Sequence, residues 1–365
     1  MKIREITTFL ESIAPPQLQE QYDNAGLLTG SYNWQCTGLI TTLDATEAVV
    51  EEAIEKNCNL VVAHHPIIFS GLKKITGKNY VEKTIIRAIK HDIAIYAIHT
   101  NLDNIITGVN GRIADKLGLI NREILQPKSK LLKKMIFFVP ETHAAQVKDA
   151  LFAAGAGNIG NYSECSFSTT GVGTFKPNEG ANPFIGTINN RHKASEIKIE
   201  TIYPAWLEQS ILSALKIAHP YEEVAYDIIL LDNFYQQAGS GLVGDLPIEL
   251  SETQCLQLMQ NTFNLSVIRH TALTGKKVKR IALCGGAGSF LISPAIASGA
   301  DLYITSDIKY HEFFDANEQL LLADIGHYES EQFTIDLLFD ILKEKFPTFA
   351  TLKTGINTNP VKYFR

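Results

Sequence analysis

The chain is 365 residues long, 45% hydrophobic and 20% charged, with a formal net charge of -6, so it holds core enough for two or three ordinary domains. That charge argues against non-specific nucleic-acid binding, and no apolar run approaches the roughly 18 residues of a membrane span. The five scattered cysteines (Cys36, Cys58, Cys165, Cys255, Cys284) show no CxxC spacing, which fits reduced thiols and a cytoplasmic protein.

The first segment, MKIREITTFLESIAP, places Ile3, Ile6, Phe9 and Leu10 on one helical face and is closed by Pro15; it reads as an amphipathic helix, without the continuous apolar stretch of a signal peptide. Short apolar runs rich in β-branched residues come next, at Leu39–Leu43, Leu60–Ala63 and Ile93–Ile98. Helical patterns over Ala45–Lys56, Val81–His91 and Gly108–Leu117 alternate with them. Strands alternating with helices predict an α/β layer with a largely parallel sheet.

After the polar stretch Gln126–Lys133 the pattern changes. The strand MIFFVP, a helix over His143–Ala154, and a section rich in Gly, Asn and Ser (Gly155–Gly186) lead to a strand at Ile197–Ile202, a helix at Leu207–Ala218 and a strand at Ala225–Leu231. That order predicts a small α+β domain of the ferredoxin-like type. The Gly-rich QQAGSGLVGD marks its end, and the α/β pattern resumes with strands at Ile281–Cys284, Leu302–Thr305 and Leu320–Asp324. Helices at Ser293–Ser298 and Tyr328–Phe346 complete it. The expected boundaries are a main domain of residues 1–127 and 235–365, split by an insert of residues 128–234.

Five potential metal ligands follow predicted strands: His64 and His65 in LVVAHHPIIF, Asp103 in IHTNLDN, and His327 with Glu331 in ADIGHYESEQF. Imidazole and carboxylate donors suit zinc, iron or manganese. Ligands of open α/β sheets collect outside the carboxyl ends of strands, and His327 and Glu331, four apart at a helix start, share one face. Five donors exceed one tetrahedral site, so two ions sharing a carboxylate become plausible. The competing reading makes the histidines loop residues and the carboxylates caps. Asp44 and Asp324 are helix-cap candidates, Asp44 with a site role as its alternative. His99 stands either behind the ligands or in packing. CGGAGSF (Cys284–Phe290) is a glycine turn whose N–H groups could cradle a phosphate. Asp307 and His311 fall near the same edge, His311 as a structural histidine. HPYEEVAYD (His219–Asp227) reads as structural or interfacial.

DNAGLLTG, AHHPIIFSGLKKI, HTNLDN, CGGAGS and GHYESE, in that order, resemble the Nif-three-like family, the GTP cyclohydrolase I type 2 homologues or dinuclear metal centre proteins. The likeness covers essentially the whole chain. AGAGNIGNYSECSF, GTFKP and HPYEEVAYD resemble the PII/CutA-like insert of longer bacterial members. The resemblance implies two divalent metal ions held by His64, His65, Asp103, His327 and Glu331. It would place His65 and Asp103 on one ion, His64 and His327 on the other, and Glu331 across both. It also implies a homohexamer with sites facing an internal cavity.

The function expected is that of a metal-dependent hydrolase acting on a nucleotide or other phosphorylated small molecule through a metal-bridging hydroxide. Glu331 and His99 are the catalytic candidates, His99 as a proton shuttle. Cyclohydrolase chemistry needs further acid–base groups that the sequence does not identify. The alternative is a metal-binding regulatory or interaction protein without turnover, and a third is a metal that only staples the fold.

Overall fold

The computed structural model describes residues 1–364. The chain opens with helix α1 (Ile3–Ile13), which buries Ile3, Ile6 and Leu10 as its spacing requires. Strands β1 (Gly26–Thr29), β2 (Leu39–Asp44), β3 (Leu60–His65) and β4 (Ala94–Ala97) follow, with α2 (Glu47–Glu55) after β2 and α3 (Tyr80–Lys90) after β3. The short helix α4 (Thr100–Asp103), then α5 (Val109–Leu117) and β5 (Ile120–Lys128), end the first half.

The chain divides into two compact units, one of Met1–Pro127 with the chain from Gln237 onward, the other Lys128–Gln236. The second unit carries β6 (Leu132–Pro140), α6 (Ala144–Ala153), β7 (Ser166–Phe175), β8 (His192–Pro204), α7 (Glu208–Ala218) and β9 (Tyr226–Leu231). Its sheet order is β7-β8-β6-β9, every neighbouring pair antiparallel. This βαββαβ order is ferredoxin-like. Met135, Phe137, Ile199 and Tyr203 of the sheet close a core with Val147, Leu151, Ile211 and Leu215 of the helices. The strand β7 lies inside the section rich in Gly, Asn and Ser. Most of its residues are exposed, so the strand carries no alternation of apolar and polar residues to reveal it.

The first unit resumes with β10 (Tyr235–Ser251), α8 (Glu252–Phe263), β11 (Arg269–His270), β12 (Lys277–Ala287), α9 (Ile292–Ala297), β13 (Leu302–Ser306) and β14 (Leu321–Asp324). Helices α10 (His327–Glu331) and α11 (Thr334–Lys345) and strand β15 (Thr351–Lys353) complete it. The α/β layer is two sheets. One has the order β1-β4-β3-β2-β15, parallel except for β1; the other has the order β11-β14-β13-β12-β10-β5, with β12, β13 and β14 parallel. Apolar runs identify parallel strands but not which of them pair, so the sequence pattern suggested one sheet.

QQAGSGLVGD, at the end of the insert, is itself strand. It belongs to β10, with Ala238, Leu242 and Val243 buried. A Cβ on Gly239 would collide with the Gln126 carbonyl oxygen and come within 2.7 Å of the Pro127 Cα. Glycine is there because two backbones approach closely. The central strands are sealed: Leu60, Val61, Val62 and Ala63 are fully buried, each large side chain worth about 1.5–3 kcal/mol of transfer free energy. That burial makes β3 a rigid rod whose end carries His64 and His65.

Candidate metal centre

The strand β3 runs through His64 and His65, and the two rings diverge to its two neighbours. His64 Nδ1 donates to the Ile98 carbonyl, just past β4, at 2.9 Å. His65 Nδ1 meets Asp44 Oδ1, at the end of β2, at 2.8 Å. Asp103 closes α4 beyond β4. From the other sheet, β14 leads into α10, whose first and last residues are His327 and Glu331. Residues from the carboxyl ends of both sheets thus converge on one point.

Glu331 is the centre of that point. Its Oε2 lies 2.9 Å from His65 Nε2 and 3.1 Å from His327 Nε2, and those two nitrogens are 3.4 Å apart. Its Oε1 lies 3.8 Å from His64 Nε2, which is 3.5 Å from Asp103 Oδ1. Four donors about 2.1 Å from one ion in tetrahedral array are about 3.4 Å from each other, close to the spacings seen within both triplets. His64 Nε2 and Asp103 Oδ1 are enclosed and without a hydrogen-bond partner, although the Asp103 side chain as a whole keeps 23% exposure. Orphaned buried polar atoms call for an explanation, and a cation between them supplies one. Three triplets bring their donor atoms within 4.8 Å of one another, close enough for a metal ion: His65–His327–Glu331, His64–Asp103–Glu331 and His64–His65–His99.

In this geometry the neighbours are the other way round from the pairing implied by the resemblance. His64 stands with Asp103 and His65 with His327, because His64 leans toward the β4 side and His65 toward the β2 side.

Each imidazole is fixed from behind. His327 Nδ1 contacts Asp307 Oδ2 at 2.5 Å, and Asp307 reaches it from a left-handed conformation, φ 57°. That backbone is sparsely populated by residues other than glycine and costs of order 1 kcal/mol. A carboxylate or carbonyl behind the ring leaves Nε2 directed at the centre, the arrangement metal-ligating histidines use. Burial works against charge on His65, but the hydrogen bonds and charges of Asp44 and Glu331 override it and raise its pKa to about 10. Asp307 and Glu331 likewise overcome burial at His327 and raise it to about 11. Burial favours the neutral form of Glu331, yet contacts from His327 and His65 at hydrogen-bond distance, and the His65 charge, hold its carboxyl well below the usual range. Burial, with the Glu331 charge beside it, pushes Asp103 up to about 7.

A family profile for Duf34/NIF3 (NGG1p interacting factor 3) matches residues 1–360. The chain belongs to the Duf34/NIF3 family. It is 38% identical over 363 residues to the GTP cyclohydrolase 1 type 2 homolog of Halalkalibacterium halodurans, covering 98% of each chain. A Bacillus cereus protein related to NIF3, of known crystal structure, is 38% identical, with a TM-score of 0.88 over 100% of this chain and 99% of that one. A Staphylococcus aureus protein of known structure is 30% identical, with a TM-score of 0.78 over 100% and 99%.

In this Duf34/NIF3 chain, other expectations resolve one by one. Asp44 is not a helix cap: Thr46 caps α2 by accepting from the Val49 N–H, while Asp44 accepts from His65 and Thr358. Asp324 accepts the Gly326 and Ile308 N–H groups and an Arg269 N–H, so it ties loops together, and Gly326 is the N-cap of α10. His99 packs its ring 5.2 and 5.4 Å from those of His64 and His65. Its Nδ1 is held by Asp23 at 2.8 Å. Asp23, inside DNAGLLTG, carried no signal of its own in the sequence. Burial raises its pKa, but hydrogen bonds from His99 and Thr100 win and hold it at about 2.

The glycine turn is not an open phosphate cradle. The Gly285 N–H donates to Asn110 and the Gly286 N–H to Ser330. A Cβ on Gly286, φ +66°, would collide with Glu331 Oε1, so that glycine makes room for the shared carboxylate. His311 is exposed and packs on Tyr310. In the other unit, His219 donates from Nε2 to the Phe138 carbonyl and accepts the Tyr221 N–H, a structural role.

Proposed function

We propose that this protein is a metal-dependent hydrolase in which two divalent ions (zinc, iron or manganese) share Glu331. The observation that carries the reading is the division of one buried carboxylate between two donor triplets, one oxygen facing each. His64, Asp103 and Glu331 Oε1 would hold one ion; His65, His327 and Glu331 Oε2 would hold the other. Such a pair supplies Lewis acidity, lowering the pKa of water toward neutrality and polarising a substrate oxygen.

The protein's own groups have separate tasks. Asp44, Asp307 and the Ile98 carbonyl orient the three ligating rings. With its Nδ1–H donated to the Asp23 carboxylate, His99 presents Nε2 as an acceptor beside the site, placed to take a proton from an attacking water. The printed name of the relatives makes GTP the first compound to assay, with other nucleotides and phosphorylated small molecules behind it. For the assembly we propose a homo-oligomer, a hexamer, which light scattering would test.

Metal content per chain in the wild type and in Glu331→Ala tests the centre. Near two ions in the first and clear loss in the second supports it. No metal in the wild type after incubation with zinc, iron or manganese removes the mechanism.

A further inference from the structure

Beyond β15 the described residues form no regular secondary structure, yet the segment stays anchored. The Thr354 hydroxyl donates to Glu52 Oε2 at 2.5 Å, and the Gly355 N–H to Oε1 at 2.9 Å. Ile356 packs against the core that covers β2 and β3. The next residues then cross to the carboxyl ends of the strands. Thr358 Oγ1 donates to Asp44 Oδ2 at 2.6 Å, and Asn359 Nδ2 to Glu329 Oε1 at 3.0 Å. Asn359, Pro360, Val361 and Tyr363 line a cavity of about 470 Å³ that His65 and His327 also line.

We infer that residues 357–363 are a working part of the metal site, a strap in which Thr358 holds Asp44 and, through it, the His65 imidazole. The inference rests on the paired-site reading above. Asp44 divides its two oxygens: Oδ1 takes His65 Nδ1–H, and Oδ2 takes the Thr358 hydroxyl. Without the second bond the carboxylate is free to rotate, and the ring in front of it loses its fixed direction. Partners behind a ligating histidine are worth about 10–100-fold in metal affinity. Thr358 touches no reacting atom, so it is a positioning residue. Asn359, Pro360, Val361 and Tyr363 wall the approach to His65 and His327, which makes them the segment that sets the width of the cavity there.

The strap is tied down by side-chain hydrogen bonds rather than by a strand ladder, so it can be altered without breaking a sheet. The experiment compares full-length wild type, Thr358→Val, Thr358→Ser and a chain ended after Ile356. Zinc stoichiometry and affinity are read by competition with a chromophoric chelator, alongside thermal unfolding. Thr358→Val should bind one of its two zinc ions about tenfold more weakly and leave the other unchanged. Thr358→Ser should restore wild-type affinity, and the shortened chain should be at least as weak as Thr358→Val. Wild-type affinity for both ions in Thr358→Val overturns the strap and leaves the paired site standing. A wild type that takes up none of zinc, iron and manganese overturns both. If the shortened chain fails to fold, the Val and Ser variants still decide the question.

Discussion

Glu331 concentrates the chemistry in one side chain, 3% exposed, with three imidazoles around it. Glu331→Gln keeps the shape and removes the charge both triplets share, so metal analysis should find both ions lost or weakened together. Gly286→Ala should act on the same carboxylate from the opposite side, because the added Cβ occupies the place of Oε1; metal content should fall while the glycine turn still forms. Protons compete for these donors. His65 and His327 hold theirs to about pH 10 and 11 in the metal-free protein, against an ordinary value of 6.5. The folded chain therefore binds protons that the unfolded chain has released above pH 6.5. This contribution to stability is complete below that pH and is lost as pH rises through about 10. Scanning calorimetry of chelator-treated protein should show a lower Tm at about pH 9 than at about pH 6. Metal must displace the same protons, so apparent affinity should climb over the same interval.

Among the elements, α10 is the least able to stand alone. Five residues are too few for a stable isolated helix, and its place is set by Ser330, whose hydroxyl donates to the His327 carbonyl and accepts the Gly286 N–H. Ser330→Ala leaves that buried N–H unpaired, at about 1–3 kcal/mol, and chemical denaturation should show a loss of that order, with weaker metal retention. The five donors were legible in the sequence because strand ends and an i,i+4 spacing are local patterns. The single helix expected over Tyr328–Phe346 is instead α10 and α11, separated at Gln332 and Phe333, a break that the continuous apolar periodicity conceals. Which histidine stands with which partner was not legible, because it depends on the direction each ring takes from β3. Nor was Asp23, whose role exists only once residue 99 is folded against it, 76 positions away. β10 stayed hidden because glycine serves close backbone approach as well as loops.

For the molecule as a whole, the second unit has its own core and its own sheet. The first unit releases the chain at Pro127 and recovers it at Gln237, on β5 and β10, which are neighbours in one sheet. Replacing residues 128–236 with a short Gly-Ser linker should therefore leave metal content near that of the intact chain. Loss of all metal would show that the second unit supports the centre. No helix among the described residues is long and apolar enough to cross a membrane. Chelation separates the remaining functional readings: unfolding on metal removal would mark a structural staple, whereas loss of turnover in a chain that stays folded would mark catalysis.

The division of Glu331 between the two triplets would also govern how the proposed pair of ions fills. On the proposed two-ion reading, an ion settling in either triplet would turn the carboxylate into line for the other and expel protons that both sites must shed. Half-filled molecules should then be scarce: at a limiting supply of zinc, native mass spectrometry should find chains that are empty or doubly loaded, with few between. Such a centre would behave as a threshold device, switching over a narrow span of free metal concentration instead of filling in proportion to it.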